Sequence, residues 1–335
     1  MNWKTAVGSL LGAVFAAVCL HGTLWAQTPA PLRLLDTVPL PNVEGRIDHF
    51  GIDVKGQRLF MAALGNNTLE VLDLGANRRL QTIPGLHHPQ GVLYVPHTQR
   101  LFVANAEGGQ VAIFDGQTLR RVGSVDGLDD ADNIRYDAVA KQVYVGYGDG
   151  ALVILDVLEG KRLGEIKLDG HPETFQLEKS GPRIFVNVPD AGHIAVVDRN
   201  RQEVIARWPL TRGSANFPMA FDEPNHRLVV ACRKPVGLLV LDSASGRIVA
   251  RVKCPGDADD LWYDAARKRL YISGGEGFIG VIEQRDPDHY GMLTKIPTAS
   301  GARTSFFAPG EIRLCLAVPH RNDQKSEVRV FEAKP

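Results

Sequence analysis

The chain has 335 residues, 44% hydrophobic and 23% charged, an ordinary globular composition with room for one large domain or two small ones. Its 38 basic side chains balance 38 acidic ones. That leaves no basic surplus to meet phosphates, so no nucleic-acid partner is expected.

The first 26 residues read as a secretory signal peptide. Lys4 gives a positive start, Thr5 to Leu20 is an apolar run of 16 residues, and a more polar stretch ends at Ala26, a small residue suited to cleavage. A membrane span needs ~20 residues, so no transmembrane span is expected after cleavage. An uncleaved anchor and a lipoprotein signal at Cys19 are the alternatives, and Val18 fits the second poorly. The reading places residues 27–335 outside the cytoplasm, periplasmic or secreted, as one domain and a monomer. Cys232, Cys254 and Cys315 remain there. Three thiols cannot all pair, so they read as buried strand residues and not as a disulfide scaffold.

From residue 46 onward one pattern recurs. A basic or polar residue precedes an aliphatic one and then an aromatic or aliphatic one, centred on Leu59, Leu101, Val143, Ile184, Leu228, Leu270 and Leu314. The spacings are 42, 42, 41, 44, 42 and 44 residues. A second anchor follows each first one in the same phase: VLD 71–73, IFD 113–115, ILD 154–156, VVD 196–198, VLD 240–242, VIE 281–283 and VFE 330–332. The units read as short β-branched and aromatic runs bounded by Gly, Asn, Asp and Pro. Four short strands at such a period predict an all-β, seven-bladed β-propeller. The blades fall near 46–86, 87–128, 129–170, 171–213, 214–256, 257–300 and 301–335. The last unit has three strands, whereas Leu32 to Leu40 resembles the fourth strands at 78–86 and 120–128. Strand 32–40 is therefore predicted to complete the seventh blade and hide its edges.

These repeats resemble the YVTN β-propeller family and the YncE-like exported proteins within it. The strand that names the family is loosened here to LFVAN (101–105), VYVGY (143–147), IFVNV (184–188) and LYISG (270–274). The turns His88-Pro89-Gln90-Gly91 and His171-Pro172-Glu173-Thr174 are similar to those opening such repeats. The resemblance implies the fold and export. Such propellers host binding proteins, lyases and lactonases alike, so it implies no reaction.

The loops leading into each first strand are predicted to ring one mouth of the central channel. Eleven residues before the first anchors stand Asp48, Gln90, Asp132, Glu173, Phe217, Asp259 and Arg303. Asp48, Asp132, Glu173 and Asp259 are candidate metal ligands for one divalent ion. Oxygen-rich sets suit Ca²⁺ or Mg²⁺, and added imidazoles admit Zn²⁺, Mn²⁺ or Fe²⁺. Arg46, Asp48, Gln90, Asn133, Asn216, Arg233, Asp260, Glu276, Arg303 and His320 are candidate ligand-binding residues. His49 and His171 are candidate catalytic bases. A plainer reading competes, because Asp, Asn and Ser in such loops also fix turns through backbone N–H groups. Acids crowded for a ligand repel one another when empty, so losing Asp132 or Asp259 is expected to leave stability unchanged or improved.

Gly275-Glu276-Gly277-Phe278-Ile279-Gly280 matches G-x-G-x-x-G. It lies between strands, with no helix to receive a pyrophosphate, and is set aside. Beside a structural envelope protein with no buried site, two functions stay open. One is an exported binding propeller holding a small polar molecule, a glycan or an envelope protein at the channel mouth. The other is a metal-dependent hydrolase, lactonase or lyase at the same mouth.

Overall fold

A computed structural model describes Met1, residues 30–308, 310 and 313–335. The signal-peptide reading falls on residues that, Met1 apart, lie outside the described ones. Within Pro31–Pro335 there are seven four-stranded antiparallel sheets. Six are made of consecutive strands. The seventh runs Leu32–Pro39, Glu327–Ala333, Arg313–Val318, Ser305–Ala308. The chain is a seven-bladed β-propeller, closed by the strand predicted to close it.

Closure rests on backbone pairing and burial together. Leu32 pairs with Ala333 and Pro39 with Glu327. Val38 and Leu40 pack with Leu59, Leu72, Val328 and Val330 in one apolar cluster between blades. The Ser326 hydroxyl donates to the carbonyls of Leu40 (2.8 Å) and Val43 (2.7 Å), which pins the exit of the closing strand.

The position of the core explains the sequence pattern. Second and third strands are covered on both faces by neighbouring blades, so they read as continuous apolar runs and not as alternations. Arg100–Asn105 and Gln110–Asp115 are buried almost throughout, while the fourth strand Arg121–Asp126 is mostly exposed. Phe60, Leu69 and Val71 of blade 1 pack on Leu101, Val103 and Ala112 of blade 2. Burial of such side chains contributes ~1.5–3 kcal/mol each.

The aspartate of the second anchor has a local task. The Oδ1 of Asp115 accepts the N–H groups of Gln117 (3.1 Å) and Thr118 (2.8 Å). Asp73, Asp156, Asp198 and Asp242 do the same in their blades. In blade 6 the third strand runs on to Asp286, which takes over the turn in place of Glu283. Cys232, Cys254 and Cys315 are buried and unbridged. Burial pushes the Cys232 thiol up to about 11 and the other two up to about 12, so all three are inert at neutral pH. Among the described residues no helix is long and apolar enough to cross a membrane.

Candidate functional site at the channel mouth

Six of the seven residues in the predicted phase meet in one cavity of about 170 Å³ at the channel mouth. They are Gln90, Asp132, Glu173, Phe217, Asp259 and Arg303, joined by Arg46, His49, Asp130, His171, Thr174 and Arg233. The seventh, Asp48, is buried directly behind Arg46 and His49. The backbone explains part of this convergence. Three first strands carry an irregularity at this level, between Pro89 and Val92, Asn216 and Met219, and Ala258 and Asp260. An extra residue in a strand re-aims a side chain, and here it turns Gln90, Phe217 and Asp259 toward the axis.

The cavity has two electrostatic halves. On the side of blades 5, 6, 7 and 1, Asp48, Asp257 and Asp259 each meet an arginine. Arg303 pairs with Asp257 (3.0 Å) and with Asp259 (2.6 Å). Arg233 also pairs with Asp259, and its guanidinium lies 3.7 Å from the centre of the Phe217 ring. Arg46 reaches Asp48 at 2.8 Å and Asp259 at 3.8 Å. Asp259 is thus the hub of three arginines.

His49 lies in a carboxylate cage. Its Nδ1 is 3.4 Å from Asp260, and its Nε2 is 3.6 Å from Asp48 and 3.8 Å from Asp132. Burial alone would lower its pKa, but Asp260, Asp48 and Asp132 together hold it at about 10. His49 is therefore a fixed cation at neutral pH. A base must be free of its proton, so the geometry argues against the catalytic role expected for it.

The side of blades 3 and 4 is the opposite case. One ligand atom each of Asp132, His171 and Glu173 lie within 4.8 Å of one another. Among the described residues no Lys or Arg lies within 4.0 Å of either carboxylate, and the Oδ1 of Asp132 is buried with no hydrogen-bond partner. Burial pushes Asp132 up to about 6, with His49 pulling down and Asp48 adding to the rise. Glu173 is raised well above the usual range by burial and then by the charges of Asp132 and Asp259. The Nδ1 of His171 lies 2.7 Å from the carbonyl oxygen of Gly148. A carbonyl only accepts, so Nδ1 carries a proton, which leaves Nε2 as the nitrogen free to meet a metal ion. Metal-ligating histidines are held in this way by a second hydrogen bond.

The remaining predicted residues divide. Asn133 and Asp260 line a narrow space of about 30 Å³ just below the mouth. Asn216 is fully buried, donates to Asn187 at 2.9 Å, and ties blade 5 to blade 4. His320 pairs with Glu44 at 2.7 Å outside the cavity, and Glu276 lies against Gly256, also outside it. For Asn216, Glu276 and His320 the plainer structural role wins, because each has its own partner or neighbour away from the axis. Phe217 and Arg135 received no role from the sequence. Arg135 occupies the channel wall eight residues before its anchor, where the other blades carry Gly51, Leu93, Gln176, Ala220, Trp262 and Phe306. A single charge in that set was the available signal.

No family model matches the chain, and no curated protein matches it. Solved structures do. A chain of the hydrazine synthase of Kuenenia stuttgartiensis superposes with a TM-score of 0.75 at 15% identity, covering 87% of this chain and 97% of that one. A chain of a mitotic checkpoint complex also superposes with a TM-score of 0.75, at 12% identity, covering 99% of each chain. Likeness at such identity is a likeness of fold, and it agrees with the seven blades described above.

Proposed function

We propose that the protein is an exported propeller of the YVTN type that holds a divalent metal ion on Asp132, His171 and Glu173, and through it a small polar ligand at the channel mouth. One observation carries this reading: one ligand atom each of Asp132, His171 and Glu173 lie within 4.8 Å of one another, and among the described residues no Lys or Arg is within 4.0 Å of either carboxylate. A cation of charge two relieves their repulsion directly. One imidazole and two carboxylates suit Zn²⁺, Mn²⁺ or Fe²⁺ better than Ca²⁺, which takes six to eight oxygens. Three protein ligands leave room for a ligand donor atom. Arg46, Arg233 and Arg303 across the cavity give that ligand's anionic end a counter-charge.

The open ligand set also favours the second reading, a metal-dependent hydrolase or lactonase, because a bound ion would polarise a carbonyl there. His49 supplies positive charge and orientation to Asp48 and Asp132 in either case. Calorimetric titration of chelator-treated protein with Zn²⁺ and with Mn²⁺ tests the first claim. One saturable site, lost in Asp132→Asn and in Glu173→Gln, is expected. Absence of any site in the wild type overturns it. Turnover of lactones or esters that vanishes in Glu173→Gln would select the hydrolase, and ligand binding without turnover would select the binder.

A further inference from the structure

Below the mouth the channel widens again into a second chamber of about 330 Å³. Its wall is made by the first strands of the seven blades, with Ile52, Leu93, Met219, Leu261, Trp262 and Phe306 supplying apolar surface. One charged side chain other than Asp260 enters this wall, and it is Arg135. Among the described residues the Arg135 guanidinium makes one hydrogen bond, to the carbonyl of its neighbour Ile134 at 2.8 Å. Among the described residues no carboxylate lies within 4.0 Å of it. Asp260 is already engaged by His49 at 3.4 Å and by the Ser305 N–H at 2.8 Å. Burial lowers the pKa of Arg135, and the more distant Asp260 and Asp132 only partly counter it, yet arginine stays charged at any ordinary pH. Arg135 is half-buried, its guanidinium 5.5 Å from the centre of the Phe175 ring and without a carboxylate partner, and a guanidinium so placed in an apolar wall favours an anion beside it.

The surrounding groups define what else such an anion must carry. The Trp262 indole donates its N–H to the Ser305 carbonyl at 3.1 Å, so it presents only its ring to the chamber. That ring packs against Phe306 with centroids 4.9 Å apart. Gln176 donates to the Met219 carbonyl at 2.9 Å. The chamber therefore offers one cation and a broad apolar surface. A volume near 300 Å³ is at the lower end for small-molecule sites. Access need not pass the mouth. Arg135 and Gln176 also line an open groove of about 860 Å³ on the opposite face, between blades 3 and 4. Three charged residues lining that groove are paired, Arg199 with Asp137 at 2.6 Å and Glu178 with Arg183 at 2.5 Å.

We propose that this chamber is a second ligand site, for a small monocarboxylate with an aromatic or branched apolar body, its carboxylate on Arg135 and its body against Trp262, Phe306 and Leu93. The site is independent of the metal proposed at the mouth. A planar guanidinium binds a carboxylate through two parallel hydrogen bonds, and apolar burial adds affinity in proportion to area.

Calorimetry on the full-length protein in excess chelator tests it, with benzoate, phenylacetate and 3-methylbutanoate as probes and their neutral amides as controls. At least one acid is expected to bind at a single site, at least about tenfold more tightly than its amide. Arg135→Met is expected to abolish that preference and Arg135→Lys to keep part of it. Binding should also quench tryptophan fluorescence, and Trp262→Phe should remove the quench. No saturable binding by any of the three acids overturns the proposal. So does equal binding of acid and amide, which the wild type alone reports even if Arg135→Met fails to fold. Binding that appears only when chelator is left out also overturns it, because the anion would then sit at the mouth.

Discussion

Asp132→Asn is the sharpest perturbation of the mouth, because the isosteric amide removes charge and little else. The Asp132 side chain caps no turn; its Oδ1 is buried without a hydrogen-bond partner. Its carboxyl is pushed up to about 6 in the fold, while an unfolded aspartate titrates near ~3.9. The unfolded chain thus gives up this proton first, and stability falls as pH rises through the window between the two values. At about 1.4 kcal/mol per unit, ionising Asp132 costs the metal-free fold about 3 kcal/mol by pH 8. The amide is spared that cost. In urea melts with chelator present, Asp132→Asn should be more stable than wild type by about 1–3 kcal/mol at pH 8, and the difference should shrink by about 2 kcal/mol at pH 4.5. Added Zn²⁺ or Mn²⁺ should then stabilise the wild type and not the variant. A variant that loses stability at pH 8, as a missing turn cap would at ~1 kcal/mol, refutes the reasoning. A gain of equal size at both pH values refutes it as well.

Three further outcomes follow from the same geometry. Asp259→Asn should behave in the opposite sense to Asp132→Asn, losing about 1–3 kcal/mol in urea melts, because it strips Arg303, Arg233 and Arg46 of a shared partner; a neutral result would show that the arginines re-pair freely. His49 is held at about 10 against a usual value near ~6.5, so its contribution is complete below the lower value and is lost as pH rises toward the higher one. Melts at pH 7 and pH 10 should show that loss in the wild type, and His49→Gln, which no longer faces Asp48, Asp132 and Asp260 with a titrating group, should lack this component. A chain beginning at Asn42 lacks the closing strand with its buried Leu32, Val38 and Leu40, about 5–9 kcal/mol of burial against a typical total of 5–15. Compared with a chain beginning at Ala30 it should melt at least about 10 °C lower or aggregate, and an unchanged midpoint would contradict closure.

The fold was legible because a propeller repeats its own logic. Seven copies of two anchors in fixed phase come from strands buried on both faces and, in five blades, from an anchor aspartate capping one turn. The missing fourth strand of the last blade pointed to Leu32–Pro39 by subtraction. Phase also found the mouth, since position along a repeat becomes position around a ring. It carried six of seven residues into one cavity, Asp48 stopping just behind it. Phase could not say which acids are neutralised. Asp259 and Asp132 look alike in sequence, yet arginines from three other blades reach the first and none reaches the second. That difference reverses the expectation that losing Asp259 is harmless. The acidity of His49 was equally hidden, because Asp48, Asp132 and Asp260 arrive from three blades. Arg135 stands inside a first strand and not in an entry loop, so the loop phase that marks the mouth does not reach it.

The central claim is that Asp132, His171 and Glu173 hold a metal ion. Its most direct test is the metal content of protein purified from an exporting host without chelator or metal-affinity resin, measured by mass spectrometry alongside Asp132→Asn and Glu173→Gln. The account predicts about one equivalent of a divalent transition metal in the wild type and none in either variant. A metal-free wild type that also takes up none on titration, or a metal that both variants retain, would contradict it.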